Sequence, residues 1–163
     1  MMILALDLST RSTGWAIFEN QKLIDYGCIT ATSTNVLNRI NKITKELKEI
    51  CNKYKPDDII VEEVLPEDVK HNQTVFKALV YLQASVALLM NEYDKKLNFY
   101  VSSEWRKKCG IRTGRGITRD MVKAADIKFV KDNYNIEAND DICDAICIGH
   151  AFVNKVEERK SAF

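Results

Sequence analysis

Near its start the chain carries Met2-Ile3-Leu4-Ala5-Leu6-Asp7-Leu8, an apolar run that contains a single acid. A continuous apolar run of this length is typical of a strand that is buried on both faces of a sheet. An ionised carboxylate in such surroundings is costly unless a positive charge neutralises it. Asp7 is therefore the first candidate functional residue, and the sheet is predicted to form around the strand that carries it.

The elements that follow predict an α/β fold, in which one layered sheet is covered by helices. Residues 14–18 and 22–30 are predicted strands joined by a tight hairpin. Apolar residues then recur every three or four positions from 35 to 54, which indicates an amphipathic helix capped by Ser33 or Thr34. The remaining predicted elements are a short buried strand at 59–61, a long helix at 69–93, a strand at 98–101, a short helix capped by Ser103, a helix from Thr118 to about 133, and a final helix opened by Asn139 or Asp140.

The composition is that of an ordinary globular protein, with 46% hydrophobic and 29% charged residues in a chain of 163. That length predicts one domain over residues 1–163 with a sizeable core. The longest apolar stretch, residues 78–90, is interrupted by Gln83 and Ser85 and is expected to be too short to cross a bilayer. No basic-then-apolar leader is present, and the five cysteines lack metal-site pairing, so we expect a cytoplasmic protein with reduced thiols.

Three further acids lie in similarly apolar surroundings: Glu62 after residues 58–61, and Asp141 and Asp144 within residues 141–148. Asp141 and Asp144 are three residues apart, so on a helix they share one face. Carboxylates that converge in this way can hold two divalent cations about 3.5–4 Å apart, as in enzymes that cleave phosphodiesters. Mg²⁺, with Mn²⁺ as a substitute, suits such a site because it binds few carboxylates and keeps several waters.

Each acid also has a structural explanation that the sequence alone leaves open. Asp141 and Asp144 are equally expected if they only stabilise the N-terminus of the last helix through its dipole. Glu62 lies beside Glu63, and strand alternation does not decide which of the two faces the other acids. Asp7 is the hardest to explain structurally, because its apolar strand offers no polar partner nearby.

A basic stretch runs from residue 106 to residue 131, with nine Lys or Arg residues, two acids and a local charge of +7. Such a surface beside an acidic metal site is what a nuclease needs, because phosphates supply most of the affinity for nucleic acid. Lys128 and Lys131 are expected only to solvate a helix face. The stronger candidates for phosphate contacts are Arg112, Arg115 and Arg119, in and beside the glycine loop 110–116, and the further candidates are Lys107, Lys108 and Lys123.

Four short motifs occur in order along the chain: Leu4-Ala5-Leu6-Asp7 with Gly14 after it, Ile60-Val61-Glu62-Glu63-Val64, Val101-Ser102-Ser103-Glu104-Trp105-Arg106, and Asp141-Ile142-Cys143-Asp144-Ala145. The set resembles the RuvC family of Holliday-junction resolvases, which has the ribonuclease H-like fold, and in particular the compact phage-type branch of that family. The resemblance runs from Ile3 to about Ala151. Each motif is weakly specific, but the ordered set at these intervals is fairly specific.

The resemblance implies a mixed β-sheet flanked by helices and the activity of a metal-dependent nuclease. It also implies that the catalytic, metal-binding carboxylates are Asp7, Glu62, Asp141 and Asp144. Glu62 is thereby chosen over Glu63. The resemblance further implies a homodimer that nicks a four-way DNA junction symmetrically, with the helix at 69–93 contributing to the dimer contact. The surplus apolar surface predicted at 79–90 agrees with that role. Leu65 departs from the family pattern, because cellular resolvases have an aromatic residue there that helps to open the junction. Cleavage of other branched DNA is therefore also expected.

Other classes of function remain open on the sequence. A sugar-kinase or actin-like ATPase would begin with a similar strand and acid, but Leu8-Ser9 stands where its phosphate loop needs glycine. Such ATPases also need two domains of this kind, and 163 residues hold one. A non-catalytic junction-binding scaffold would not need all four acids. A ribosomal-RNA-processing nuclease of the same fold is a further alternative.

Overall fold

A computed structural model describes residues 1–66 and 72–161 of the chain, with side chains up to residue 154. The strands are β1 (Met2–Asp7), β2 (Ser12–Glu19), β3 (Lys22–Thr30), β4 (Asp58–Glu62) and β5 (Leu97–Tyr100). The helices are α1 (Val36–Tyr54), α2 (Gln73–Glu92), α3 (Ser102–Lys108), α4 (Arg119–Tyr134) and α5 (Asp140–Ser161).

The strands form one sheet in the order β3-β2-β1-β4-β5. β1, β2 and β3 are joined as an antiparallel meander, whereas β4 pairs parallel with β1 and β5 pairs parallel with β4. The strand that carries Asp7 is therefore central, with neighbours on both sides. This arrangement confirms the predicted α/β class and the mixed sheet flanked by helices.

Side chains of the central strand alternate between two hydrophobic layers. Leu4 and Leu6 pack with α1 and α2 on one face of the sheet. Ile3 and Ala5 pack with α3, α4 and α5 on the other face. All four side chains are completely buried, so the register of β1 is set by burial on both faces.

Helix α5 crosses the sheet at very short range, and glycine at position 149 makes this possible. A Cβ atom on Gly149 would lie 2.3 Å from Cε2 of Phe18 and 3.2 Å from Cβ of Ala5. Since Phe18 is itself completely buried, its ring has little room to move away. The missing side chain lets α5 lie closely on β1 and β2, which brings the first turn of α5 to the end of β1.

Two of the predicted helix caps are wrong. Asn35, rather than Ser33 or Thr34, caps α1, because its side chain accepts hydrogen bonds from amides of the first turn. Ser103 lies inside α3, which begins one residue earlier and follows Val101 without a side-chain cap. In both cases the observed cap or first helical residue is adjacent to a predicted cap.

The predicted caps of the last two helices are confirmed. The hydroxyl of Thr118 accepts a hydrogen bond from the amide of Met121, at 3.3 Å. The side chain of Asn139 accepts one from the amide of Ile142, at 3.0 Å. The start of α5 is thus held by its own sequence as well as by the sheet beneath it.

Helix α2 is more apolar on its outside than a sheet-covering helix needs to be. Leu82 and Val86 are completely buried against the sheet and α1, whereas Tyr81 and Leu88 are 52% and 70% exposed. By length and composition alone, this helix of 20 residues could cross a membrane. Its most apolar stretch has a mean hydropathy of 1.3, and 22% of that stretch is buried in the structure. The predicted first residues of this helix, 69–71, lie outside the described part of the chain.

Candidate active site

Asp7 and Glu62 end two neighbouring parallel strands at the same edge of the sheet. In the pairing of β1 with β4, Leu6 lies opposite Val61, so Asp7 and Glu62 are the next pair along. Leu6 and Val61 both pack on the face covered by α1 and α2. Because successive side chains alternate, the two carboxylates point to the opposite face, where α5 lies. The register therefore favours Glu62 over Glu63, which the sequence pattern left open.

The first turn of α5 lies directly over this edge of the sheet. Asp7 is the β-sheet partner of Gly14, and a Cβ atom on Gly14 would lie 1.9 Å from the carbonyl oxygen of Asp141. Only glycine leaves room for the backbone of α5 at this point. The hydroxyl of Ser12 donates a hydrogen bond to Oδ2 of Asp141, which turns that carboxylate towards β2.

Asp144 lies one turn further along α5, where it meets a buried arginine. Nη2 of Arg106 is 3.3 Å from Oδ2 of Asp144, and Nε of Arg106 is 3.2 Å from Oδ2 of Asp126 in α4. The side chain of Asp126 has no exposed surface, and those of Arg106 and Asp144 are each 14% exposed. One guanidinium group thus links two carboxylates from different helices beside the acids of the sheet.

The pKa values reflect a region crowded with acids. Burial raises the pKa of Asp7 well above its usual value, and the charges of Glu62 and Asp141 raise it further. Arg106 opposes this by lowering the pKa of Asp7. Burial also raises the pKa of Asp144, to about 9, and the charge of Asp7 contributes to that increase. The carboxyl of Asp144 therefore retains its proton at neutral pH.

The side chains of this region have the chemistry that a hard divalent cation needs, but their present orientations do not form a complete set of metal ligands. No three His, Cys, Asp or Glu side chains in the described part of the chain converge closely enough to hold a metal ion. Asp141 is turned towards Ser12, and Asp144 towards Arg106. Oδ1 of Asp144 and Oδ1 of Asp126 are both buried and receive no hydrogen bond when the two carboxyls are ionised, and these two side chains are close enough to hydrogen-bond to each other when one is protonated. Carboxylate oxygens are the donors that Mg²⁺ prefers, and a buried oxygen without a donor is one that a cation would satisfy.

Two members of this region, Arg106 and Asp126, are missing from the set of site residues predicted from the sequence. The sequence places Arg106 in the basic stretch and at the end of the motif 101–106 without assigning it a role in the site, yet its side chain is only 14% exposed. The spacing of apolar residues in the sequence could have identified Asp126 as a buried acid. It lies four residues from both Val122 and Val130 and so shares the buried face of α4. A charge on the apolar face of a helix requires a partner, just as Asp7 does.

The predicted phosphate-binding residues lie at the C-terminal end of α3, in the loop that follows it and in the first two turns of α4. Five of the six are exposed, namely Lys107, Lys108, Arg112, Arg115 and Arg119. Lys107 and Arg112 line a groove of about 570 Å³ together with Glu104. Lys123 is half-buried instead and forms an ion pair with Asp140, next to Asp141. The cations therefore extend from an exposed loop to the edge of the acidic region.

Leu65 follows the strand that carries Glu62 and is half-buried. The backbone of Glu62 is also bonded to α2: Nε2 of Gln83 donates a hydrogen bond of 3.0 Å to the carbonyl oxygen of Glu62. The position that departs from the family pattern is thus three residues from a candidate catalytic acid.

The order of the strands and the helix laid over the end of β1 define a protein of the ribonuclease H-like fold. The family model described as crossover junction endodeoxyribonuclease RuvC matches residues 3–151. The chain therefore belongs to the RuvC family.

Similar proteins cover nearly the whole chain. It is 27% identical to the crossover junction endodeoxyribonuclease RuvC of Finegoldia magna, over 95% of each protein. It is 29% identical to that of Ehrlichia ruminantium (strain Welgevonden), over 96% of this chain and 99% of the relative.

Solved structures of resolvases share the fold. The structure of T. thermophilus RuvC in complex with Holliday junction substrate has a TM-score of 0.75 at 11% identity, over 97% of this chain and 96% of that one. The complex of Fowlpox virus resolvase with Holliday junction DNA has a TM-score of 0.64 at 16% identity, over 96% and 99% of the two chains. The solved structures confirm the predicted fold, and the family model and the curated relatives confirm the predicted family. None of them supports placement in a phage-type branch.

Proposed function

We propose that this protein is a structure-selective DNA endonuclease that resolves Holliday junctions and cleaves other branched DNA. The observation that carries the proposal is the meeting of acids from β1, β4 and α5 at one edge of a RuvC-family fold. The name of the curated relatives, crossover junction endodeoxyribonuclease, describes this reaction. Residues 1–163 would form a single nuclease domain that acts in the cytoplasm.

The proposed metal ligands are Asp7, Glu62, Asp141 and Asp144, and Mg²⁺ is the proposed metal, with Mn²⁺ as a substitute. These carboxylates would hold the ions, which would supply activation of a water molecule and neutralisation of charge on the departing 3′ oxygen of the phosphodiester. The chain's own residues keep the ligands within reach of one another. Gly14 lets α5 approach the sheet, and Ser12 holds Asp141 over it.

The substitution Asp7→Asn tests the assignment of the catalytic acids. It removes one anionic ligand while keeping the size of the side chain. Even residues that only support a ligand change activity about 10–100-fold, so the loss of nicking of a synthetic four-way junction in Mg²⁺ should exceed about 100-fold. Binding of the same junction without metal should be retained. Both are measured by gel electrophoresis of labelled DNA.

The matched control is Glu63→Gln, which changes the neighbouring carboxylate that has no proposed role and should nick as the wild type does. Normal nicking by Asp7→Asn would refute the assignment. A wild-type protein that binds the junction but does not nick it in Mg²⁺ or Mn²⁺ would instead identify a non-catalytic scaffold.

The proposed phosphate contacts are Lys107, Lys108, Arg112, Arg115, Arg119 and Lys123. Exposure of the first five supports this role, because phosphate oxygens must reach the cations without displacing other packing. The glycine loop brings its backbone close to the surface, and Gly114 and Gly116 both have positive φ angles, 110° and 82°. A nucleic-acid backbone can therefore approach the loop that carries Arg115 closely.

The substitution Arg115→Ala should weaken binding of the four-way junction and reduce the slope of log affinity against log salt by about 1. The reason is that one fewer phosphate is neutralised and fewer counterions are released. Fluorescence anisotropy at several salt concentrations measures both quantities. The control Lys128→Ala removes an exposed cation paired with Asp132 and should leave the slope unchanged. An unchanged slope for Arg115→Ala would remove Arg115 from the set of contacts.

A homodimer formed through α2 is part of the same proposal. Tyr81 and Leu88 expose apolar surface on the side of α2 that faces away from the core. Contiguous exposed apolar surface on a globular protein usually marks an interaction site. A second copy of the chain would cover this side of α2, and two active sites would then act on the two strands of a symmetric junction.

The substitution Leu88→Glu should convert the dimer into a monomer, because it places a charge on the most exposed apolar residue of α2. Light scattering should give twice the mass of one chain for the wild type and the mass of one chain for the variant. The control Leu37→Glu changes a residue of α1 that is 62% exposed, and it should remain dimeric. A monomeric wild type, or a Leu88→Glu variant that is still dimeric, would contradict this interface.

A further inference from the structure

Arg106 is held on three sides within the candidate active site. Its Nε donates a hydrogen bond of 3.2 Å to Oδ2 of Asp126, and its Nη2 donates one of 3.3 Å to Oδ2 of Asp144. Its guanidinium lies over the ring of Trp105, with 4.1 Å between Cζ and the ring centroid. Trp105 and Asp126 are completely buried. The guanidinium therefore cannot turn away without breaking the packing between α3, α4 and α5.

The charge on Arg106 is stable in this position. Burial alone would lower the pKa of Arg106, but Asp126 and Asp144 together with Glu62 raise it by more than burial lowers it. A guanidinium also stays protonated under nearly all conditions in proteins. The fixed arginine is thus a permanent positive charge that the acids of the region face.

Arg106 bridges Asp126 and Asp144, and this bridge depends on the shape of arginine as well as on its charge. Two different nitrogens of one planar group contact two carboxylates that come from different helices. Lysine has a single nitrogen on a flexible stem and cannot reproduce a rigid fork of this kind. The spacing between Asp126 and Asp144 is therefore matched to a guanidinium.

We propose that Arg106, anchored by Asp126, is a positioning residue that sets the orientation of Asp144 as a metal ligand; this inference rests on the function proposed above. Arg106 holds Oδ2 of Asp144, so the orientation of that carboxyl depends on the contact with the guanidinium. Asp126 keeps Arg106 in place from the other side. Such outer contacts orient ligands in many metal sites, and their loss lowers metal affinity or activity about 10–100-fold.

Two other roles for Arg106 make different predictions for metal binding. If Arg106 acted only as a positive charge, it would compete with the metal, so its removal would tighten binding and lysine would replace it. If it served only to pack α3 against α4 and α5, its loss would change stability and leave the affinity for metal unchanged. A positioning role predicts weaker metal binding even when the charge is kept.

The decisive variant is therefore Arg106→Lys, which keeps the charge and removes the bridge. Binding of Mn²⁺ to the metal-free protein without DNA is measured from the loss of the electron paramagnetic resonance signal of free Mn²⁺. The affinity should fall about 10-fold or more relative to the wild type. The exposed-cation control Lys128→Gln should bind Mn²⁺ as the wild type does. Cooperative thermal melting of each variant confirms that it is folded.

A second pair of variants keeps the test decisive if Arg106→Lys does not fold. Asp126→Ala removes the anchor of Arg106 and should weaken Mn²⁺ binding by a similar factor. Asp126→Asn keeps an oxygen that can accept the hydrogen bond from Nε and should restore most of the affinity. Equal affinities for Asp126→Ala and the wild type would overturn the proposal, as would wild-type or tighter binding by Arg106→Lys.

The same titration separates this inference from the proposed function. Asp7→Asn should lose Mn²⁺ binding if the acids at the end of β1 form the metal site. If Asp7→Asn binds Mn²⁺ normally, the metal site itself is wrongly placed. If Asp7→Asn loses Mn²⁺ and Arg106→Lys does not, the site stands and only the role of Arg106 is wrong.

Discussion

The burial of carboxyl groups next to one another is the constraint on which the rest of this structure depends. Asp7 ends a strand that is otherwise apolar, and burial together with Glu62 and Asp141 raises its pKa well above the usual value. Such a cluster can persist only if protons or cations neutralise it. In the metal-free protein both contribute, because Asp144 has a pKa of about 9 and Arg106 supplies a permanent positive charge. A nuclease that must hold divalent cations gains from this arrangement, since the site is least favourable when it lacks them.

The fold brings the acids together through close approach rather than through long side chains. Parallel pairing of β1 with β4 places Asp7 beside Glu62 at one edge of the sheet. Gly14 and Gly149 then allow α5 to lie on β1 and β2 at a distance that any side chain would prevent. The N-terminal turn of α5 is fixed in this way over the end of β1. Two small residues far apart in the sequence therefore determine where the acids of α5 stand.

Much of this arrangement could be predicted from the sequence because it depends on local patterns. An acid in an apolar strand identifies Asp7, and a spacing of three residues on a helix places Asp141 and Asp144 on one face. The choice of Glu62 over Glu63 needed either the family resemblance or the register between β1 and β4, which a single sequence does not contain. The sequence does not identify Arg106 as a site residue, because nothing local shows that α3 packs it against α4 and α5. The ion pair of Lys123 with Asp140 likewise depends on the tertiary fold.

The most direct test of this account is a count of the protons released when a cation enters the site. Calorimetric titration of the metal-free protein with Mn²⁺, in two buffers of different ionisation enthalpy at about pH 7.5, gives that number, because metal ligands must lose their protons to bind. Since the pKa of Asp144 is about 9, its carboxyl is protonated at that pH, and we expect wild-type protein to release protons and Asp144→Asn to release fewer. Binding of Mn²⁺ by the wild type with no release of protons would contradict the claim that protons and one arginine neutralise these carboxylates before a cation binds.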